Sequence, residues 1–596
     1  MWTLLTLACV DAEPPAPYAV PAGVTASRSD PDAAADVWPD DGLTVADPTT
    51  ATGRRLFLRE GARAELAALL PDGFDLLDAL QDLDGFGVNA SLFLRFTAPI
   101  DPATLAASVH LLALPSGEPV DWEASLTDDG ATLVVQPLSS LAEASRYALL
   151  VDDDLRDAAG EPVWAAPRVH ALAHGQLPTD ADAWAVPAWT AAVNAADLDP
   201  AEVVAGTTFL TQTITAQDDA AAASLRAAAP ALTLGACQPD EAMRRCDLTL
   251  EVGDLLGPDL TLGADEAPAV QRRYVLQLPV WLPADGAGPF PVVLHGHGLG
   301  GTRFESRSTA RQLTPLGIAV AGVDAPRHGD HPTATTTGDL LTVLDFFGVD
   351  LFAGSLVARV LRDQFRQSAW DRLQVAAALA AGPDVDGDGA PDLDGRVWYS
   401  GHSLGGVVGP QLLALSPDVG GAFLSVPGGK VASIVHRSGT FAPLIGLMAP
   451  PGTSDGQLDR FFPLLQTAID RGDPASWAAR AAQGRDVVAT QVIDDGIIPN
   501  ETTRHLARSL GLEHAGEVLQ EVDGLPRYTG RYPVVANVGG HTAALWQYTE
   551  GHFDGVPSPV DHSTVWDADE HRAQLRAFFT ALRDDGAGAL IDPAAP

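Results

Sequence analysis

Lysine is almost absent from this chain of 596 residues. Lys+Arg total 36, yet Lys430 is the one lysine, so arginine carries nearly all the positive charge. Cations are scarce as a class: 78 Asp+Glu bring the net charge to −42. A surface this acidic repels phosphate backbones, which argues against nucleic acid as a partner. Long apolar runs are missing too. None approaches the ~18 residues that a membrane-spanning helix needs. What is present is ordinary globular usage, with 46% hydrophobic and 19% charged residues, so wholesale disorder is excluded. At roughly 100–200 residues per domain the length suggests about three or four domains.

Cysteine is nearly absent as well, at three residues. Cys9 ends a short apolar run, Met1-Trp-Thr-Leu-Leu-Thr-Leu-Ala-Cys9, followed by a Pro-rich polar stretch. Residues 1–9 read as a short secretion leader ending at a lipoprotein cysteine, although no Lys/Arg precedes the run. That reading implies export, with membrane anchoring through a lipidated Cys9. Cys237 and Cys246 enclose a Pro239-containing loop, and a disulfide between them fits an oxidising compartment.

Residues 10–45 are rich in Pro, Ala and Asp and read as a tether, with 46–87 an N-terminal segment. Residues 88–165 carry short alternating runs such as Ser91-Leu-Phe-Leu-Arg-Phe96 and Ala131-Thr-Leu-Val-Val-Gln136. Turn signals separate them, which predicts a small β-sandwich. The run LFLRFTAPIDPATLAASVHLLAL resembles bacterial Ig-like modules, which usually act as spacers. The Leu83-Asp-Gly-Phe86 stretch upstream resembles the N-terminal region of bacterial surface lipases. Residues 166–268 read as a connector holding one strand and one Ala-rich helix. From 270 to 585, short buried strands alternate with longer helical patterns, the signature of an α/β, mostly parallel sheet. Residues 425–483 read as an inserted helical cap.

Gly401-His-Ser-Leu-Gly405 matches G-x-S-x-G, which places Ser403 on a tight strand-to-helix turn as a nucleophile. Leu294-His-Gly-His-Gly-Leu-Gly-Gly301 follows a strand and leaves backbone N–H groups free for an oxyanion. It lacks the Lys-Ser/Thr of a phosphate loop. An acid and then a histidine should follow the serine in the chain. Val492-Ile-Asp-Asp-Gly-Ile-Ile-Pro499 ends a strand, and Asp495 is favoured over Asp494 by its offset to Pro499. Four histidines follow: His541, His552, His562 and His571. His552 is the choice, because it stands at the end of the strand Thr542–Thr549, with His562 second. Asp384-Val-Asp-Gly-Asp-Gly-Ala-Pro-Asp-Leu-Asp394 matches the first half of a calcium loop. A structural ion held by Asp384, Asp386, Asp388, Asp392 and Asp394 would brace the serine strand.

Taken together, PVVLHGHGLGG, GVDAPRHGD, YSGHSLGG, IDDGIIPN and TEGHFD resemble the α/β-hydrolases. More narrowly they resemble secreted or surface lipases and esterases of the bacterial virulence-factor-lipase type. The resemblance implies a doubly wound sheet with a helical cap behind the small sandwich. It implies a Ser403–His552–Asp495 triad, with the His297 and Leu404 amides as oxyanion hole. Asp324 and His328, in the turn after the next strand, would be structural. Catalysis would need no cofactor, and the partner would be a hydrophobic ester. A non-catalytic surface scaffold, a peptidase and an acyltransferase remain alternatives, because the site rather than the fold decides.

Overall fold

The computed structural model describes residues 18–593, apart from 31, 34–35, 68–73, 179–182, 229, 264, 287 and 336–338. The leader and Cys9 therefore lie outside the described residues.

The N-terminal part is a sandwich of two four-stranded antiparallel sheets. One orders its strands Val37–Trp38, Leu92–Arg95, Thr132–Pro137, Trp122–Thr127; the other orders Val203–Leu210, Arg146–Asp152, Val109–Leu114, Glu118–Pro119. Alternation supplies the core. Leu92, Leu94, Leu133 and Val135 on one sheet, and Leu149, Val151 and Phe209 on the other, are buried. Two sequence expectations are corrected here. The stretch 10–45 is no tether from residue 18 onward: Val37 and Trp38 pair with Leu94 and Phe93. Trp38 is fully buried against the edge of Phe86, 5.0 Å between centroids. The stretch 166–268 is no connector either. It gives strand Val203–Leu210 to the sandwich and strand Met243–Asp254 to the next sheet. Val203–Leu210 pairs with the remote Arg146–Asp152, so the pattern that marks it as a strand does not mark its sheet.

The second sheet has 11 strands among the described residues. From one side its order is Ala231–Thr233, Met243–Asp254, Arg272–Pro283, Ala319–Gly322, Phe290–Gly296, Leu393–His402, Val419–Ser425, Asp486–Val492, Ala543–Tyr548, Glu513–Ala515; Cys237–Asp240 also pairs with Met243–Asp254. The early strands pair antiparallel, up to the contact between 272–283 and 319–322; the rest pair parallel. Strand 319–322 sits between 272–283 and 290–296, and strand 543–548 sits between 486–492 and 513–515, so the chain doubles back at both ends of its parallel run. That arrangement, with helices on both faces, is the α/β-hydrolase fold. Cys237 and Cys246 stand opposite each other in their hairpin and are disulfide-bonded, as the loop suggested.

Between Val419–Ser425 and Asp486–Val492 the chain inserts helices Val431–Arg437, Ala442–Met448 and Asp455–Ile469, which form the expected cap. The cap also holds the sandwich. Buried Asp470 accepts from Val88 N, Asn89 N and Asn89 Nδ2, while Arg460 pairs with Asp128.

Candidate active site

Strands Phe290–Gly296, Leu393–His402 and Asp486–Val492 each end in a loop at the same edge of the sheet, the carboxyl edge where open α/β sheets bind ligands. Ser403 lies between strand Leu393–His402 and helix Leu404–Leu415, with φ 52° and ψ −115°. A left-handed φ at a non-glycine residue is strained, and the surroundings hold it. Ser403 N donates to Ser425 O, and Gly405 N donates to His297 O. The flanking glycines are there for close approach. A Cβ on Gly405 would sit 2.1 Å from Gly296 O, and one on Gly401 would sit 2.4 Å from the carbonyl carbon of Gly405.

Ser403 Oγ and His562 Nε2 are 2.7 Å apart, and His562 Nδ1 and Asp495 Oδ2 are also 2.7 Å apart. All three side chains are buried. The other Asp495 oxygen accepts from Ile497 N and Ile498 N, which fixes the carboxylate. Asp494 is exposed and turned away, its N–H donating to Asn500 Oδ1. Ser403 and Asp495 thus meet, but the expected His552 does not join them. His552 sits in a hairpin, Glu550–Phe553 with Val556–Pro559, and its Nδ1 bonds Glu570 Oε1 at 2.5 Å in an exposed position. The chain leaves its last parallel strand straight into this hairpin, so the loop that returns over the serine begins only after Pro559. The histidine at that point is His562.

The glycine-rich loop lies beside the serine. Gly298 faces the Ser403 Cβ, with an added Cβ at 3.7 Å from it. His297 pins the loop from behind. Its Nε2 accepts from Ala325 N, which leaves Nδ1–H to donate to Gly298 O. Burial and the neighbouring His328 hold this imidazole far below its usual pKa, hence neutral. The Gly405 N to His297 O bond brings the His297 and Leu404 amides into adjoining loops, and Leu404 opens its helix, where an N–H lacks an intrahelical acceptor. Asp324 accepts from Arg303 N and Asp330 N and pairs with the Arg303 guanidinium, so it braces its turn.

Ser403 and His562 open on a cavity of about 590 Å³. One wall, from Leu340, Val343, Leu344, Phe441, Leu444 and Ile497, is apolar; the other carries Glu305, Ser308, His402 and Asp567. Burial raises the Glu305 carboxyl above its usual range, and Gly298 N donates to it. Burial, with His562 nearby, pushes His402 down to about 4. A smaller recess of about 40 Å³ runs from Ser403 between Leu299, Phe365, Val407, Ile434 and Ile498 and has almost no polar surface.

The acidic loop before the serine strand brings only part of its set together. Asp384, Asp386 and Asp388 place carboxylate oxygens within 4.8 Å of one another. Asp392 instead accepts from Val385 N and Asp386 N, Asp394 pairs with Arg396, and Arg244 lies against both Asp386 and Asp392. Of the five acids expected around calcium, only Asp384, Asp386 and Asp388 converge, and Asp392 and Asp394 are committed to other partners.

Residues 81–173 match the bacterial Ig-like domain, a span that ends before the last sandwich strand, Val203–Leu210. No curated protein sequence matches the chain. Among solved structures the chain is similar to acetyl xylan esterase 1 from Thermoanaerobacterium sp. JW/SL YS485, at 17% identity and TM-score 0.34, over 53% of this chain and 86% of that one. It is also similar to a putative dienelactone hydrolase from Klebsiella pneumoniae subsp. pneumoniae MGH 78578, at 14% identity and TM-score 0.30, over 52% and 92%. A third is the Pyrococcus horikoshii acylaminoacyl peptidase, at 10% identity and TM-score 0.31, over 60% and 50%. Scores this low carry no argument about the reaction. The fold rests on the strand order above.

Proposed function

We propose that this protein is a serine hydrolase that cleaves carboxylic esters with an apolar acyl group. The observation that carries the reading is the buried hydrogen-bonded line from Asp495 through His562 to Ser403. Along it, His562 Nε2 takes the hydroxyl proton as Ser403 Oγ attacks the ester carbonyl carbon. Asp495 holds Nδ1–H and stabilises the imidazolium. The His297 and Leu404 amides receive the oxyanion, worth ~3 kcal/mol per donor. As the tetrahedral centre collapses, its C–O bond to the alcohol breaks and His562 returns the proton to the leaving oxygen. Water then attacks the acyl-serine by the same route and releases the acid.

The acyl preference is supported by the apolar recess and the apolar wall beside Ser403. Export to an oxidising compartment belongs to the same proposal, supported by the Cys237–Cys246 bond and the Ig-like match. No helix among the described residues is long and apolar enough to cross a membrane.

A series of p-nitrophenyl esters of increasing acyl length tests the proposal. Wild type should hydrolyse them, and Ser403→Ala should lower kcat by at least roughly 1,000-fold. Equal rates in the two proteins would overturn it.

A further inference from the structure

The one lysine of the chain is not on its surface. Lys430 is 2% exposed, and it lies where the cap meets the sandwich, away from the residues that line the Ser403 cavity. Its backbone is fixed by Asp473, which accepts from Lys430 N and Val431 N. Its ammonium has three protons to donate. Among the described residues it has a single partner, Ser91 Oγ, at the long distance of 3.5 Å. No carboxylate of the described residues approaches within ion-pair range, although Glu501, Glu123, Asp473 and Asp470 all act on it electrostatically. Burial pushes its pKa down to about 8, with those four acids pulling the other way. A buried ammonium this poorly satisfied is costly unless something accepts from it.

The space it faces is a cavity of about 300 Å³ between the sandwich sheet and the cap. Unlike the recess beside Ser403, this cavity is walled mainly by polar groups. Glu123 and Gln136 come from the sandwich, Glu501 from helix Asn500–Ser509, and Arg437 and Asp459 from the cap. Some are already committed: Arg437 pairs with Asp459, and Gln136 bridges Ser91 Oγ and Glu123. What remains is a donor, Lys430, with acceptors, Glu501 and the second oxygen of Glu123, around an open space. The signs of these charges select the ligand. A phosphate or carboxylate would satisfy Lys430 and meet the acids. An ammonium would satisfy the acids and meet Lys430 and Arg437. A hydroxyl accepts from an ammonium and donates to a carboxylate at once.

We propose that this cavity is a binding site for a neutral polyhydroxylated ligand, a saccharide unit, separate from the ester-cleaving centre. A sugar held between the spacer-like sandwich and the cap would tie the protein to a glycan while Ser403 works elsewhere on the molecule.

A single lysine makes the test direct. Full-length protein grown on lysine labelled with ¹³C at the ε carbon has one side-chain lysine signal, and that signal reports on this cavity alone. Titration uses glucose, xylose and cellobiose as neutral probes, with glucuronate and glucosamine as charged ones. At least one neutral sugar should move the signal saturably, and the charged pair should bind more weakly. Glu123→Gln and Glu501→Gln, each tested for an unchanged melting temperature, should weaken that binding by roughly tenfold, the usual effect of losing a hydrogen bond to a charged group. Absence of a saturable shift with every neutral sugar would overturn the proposal. So would affinity unchanged in both variants, or tighter binding of a charged sugar.

Discussion

His552 sits within a hairpin and His562 just beyond it, and their partners separate them. His562 spans Ser403 and Asp495, whereas His552 meets Glu570 at the surface. His562→Ala should therefore lower kcat for an ester substrate by roughly 10,000-fold, with little change in KM, because the imidazole acts on the transition state. His552→Ala should hydrolyse the same ester near the wild-type rate. A steady-state comparison of the two variants checks both, and the reverse ranking would return the base to the earlier histidine. The serine and the acid were legible because each is tied to a local pattern. Ser403 needs glycines two residues either side, since Gly401 and Gly405 touch other backbone. Asp495 needs the turn that lets Ile497 N and Ile498 N reach it. The base has no such pattern. Any of four histidines satisfied the chain order, and what chooses among them is the length of a hairpin formed after the last parallel strand.

At the scale of elements, helix Ala358–Ala380 shows how far a periodic pattern reaches. Its apolar spacing marks a helix, and a helix forms there. Spacing alone would leave its charged residues at the surface, yet Arg362, Asp363, Arg366, Asp371 and Arg372 are all buried. They find partners that are remote in sequence. Arg366 pairs with Asp363 on its own helix and with Asp218 on helix Thr215–Ala227, while Trp370 Nε1 and Gln411 Nε2 also donate to Asp218. The cause of the difference is the layer above: the Ala-rich helix 215–227 and the loop at Leu262 cover the face that would otherwise be wet. Removing the guanidinium leaves the buried Asp218 carboxylate without its ion-pair partner, while Asp363 keeps Arg362. Arg366→Ala should destabilise the fold by about 3–5 kcal/mol, read as a lowered denaturant midpoint. Arg366→Ala with Asp218→Ala should recover part of that loss, since Asp363 keeps Arg362 as its partner. If the single variant loses under ~1 kcal/mol, water reaches the site. Val203–Leu210 reads as a strand, but its partner Arg146–Asp152 lies far back in the chain, whereas Met243–Asp254 escapes notice although it pairs with its chain neighbours Cys237–Asp240 and Arg272–Pro283.

Across the whole molecule, neutral histidines outnumber every other perturbed group that titrates near neutrality. Burial pushes His295 and His571 down to about 3, and His328, His402 and His436 down to about 4. His297 and His505 are held well below the usual value by the same cause. In the unfolded chain each takes a proton near its ordinary value of about 6.5, so between 6.5 and 4 the unfolded state binds more protons. Stability gained from these groups is present above about pH 6.5 and is lost as the pH falls. Asp41 and Asp470 oppose them. Burial raises both to about 7, so from about pH 4 to 7 the folded state holds their protons and stability falls as the pH rises. Eight more carboxyls, Asp218, Asp473 and Glu305 among them, are raised in the same sense, so the imidazoles outweigh the acids only in the upper part of this range, where the less shifted carboxyls are ionised in both states. The net charge of −42 complicates the reading, because acid also relieves self-repulsion. Salt at about 1 M shortens the Debye length to roughly 3 Å and removes most of that long-range contribution. Under those conditions scanning calorimetry should show the melting temperature falling from about pH 6.5 to about pH 5.5. A flat or rising profile would mean that the imidazoles behind Ser403 carry charge in the folded protein, and that the packing which holds His402 and His295 neutral beside the triad is looser than their burial implies.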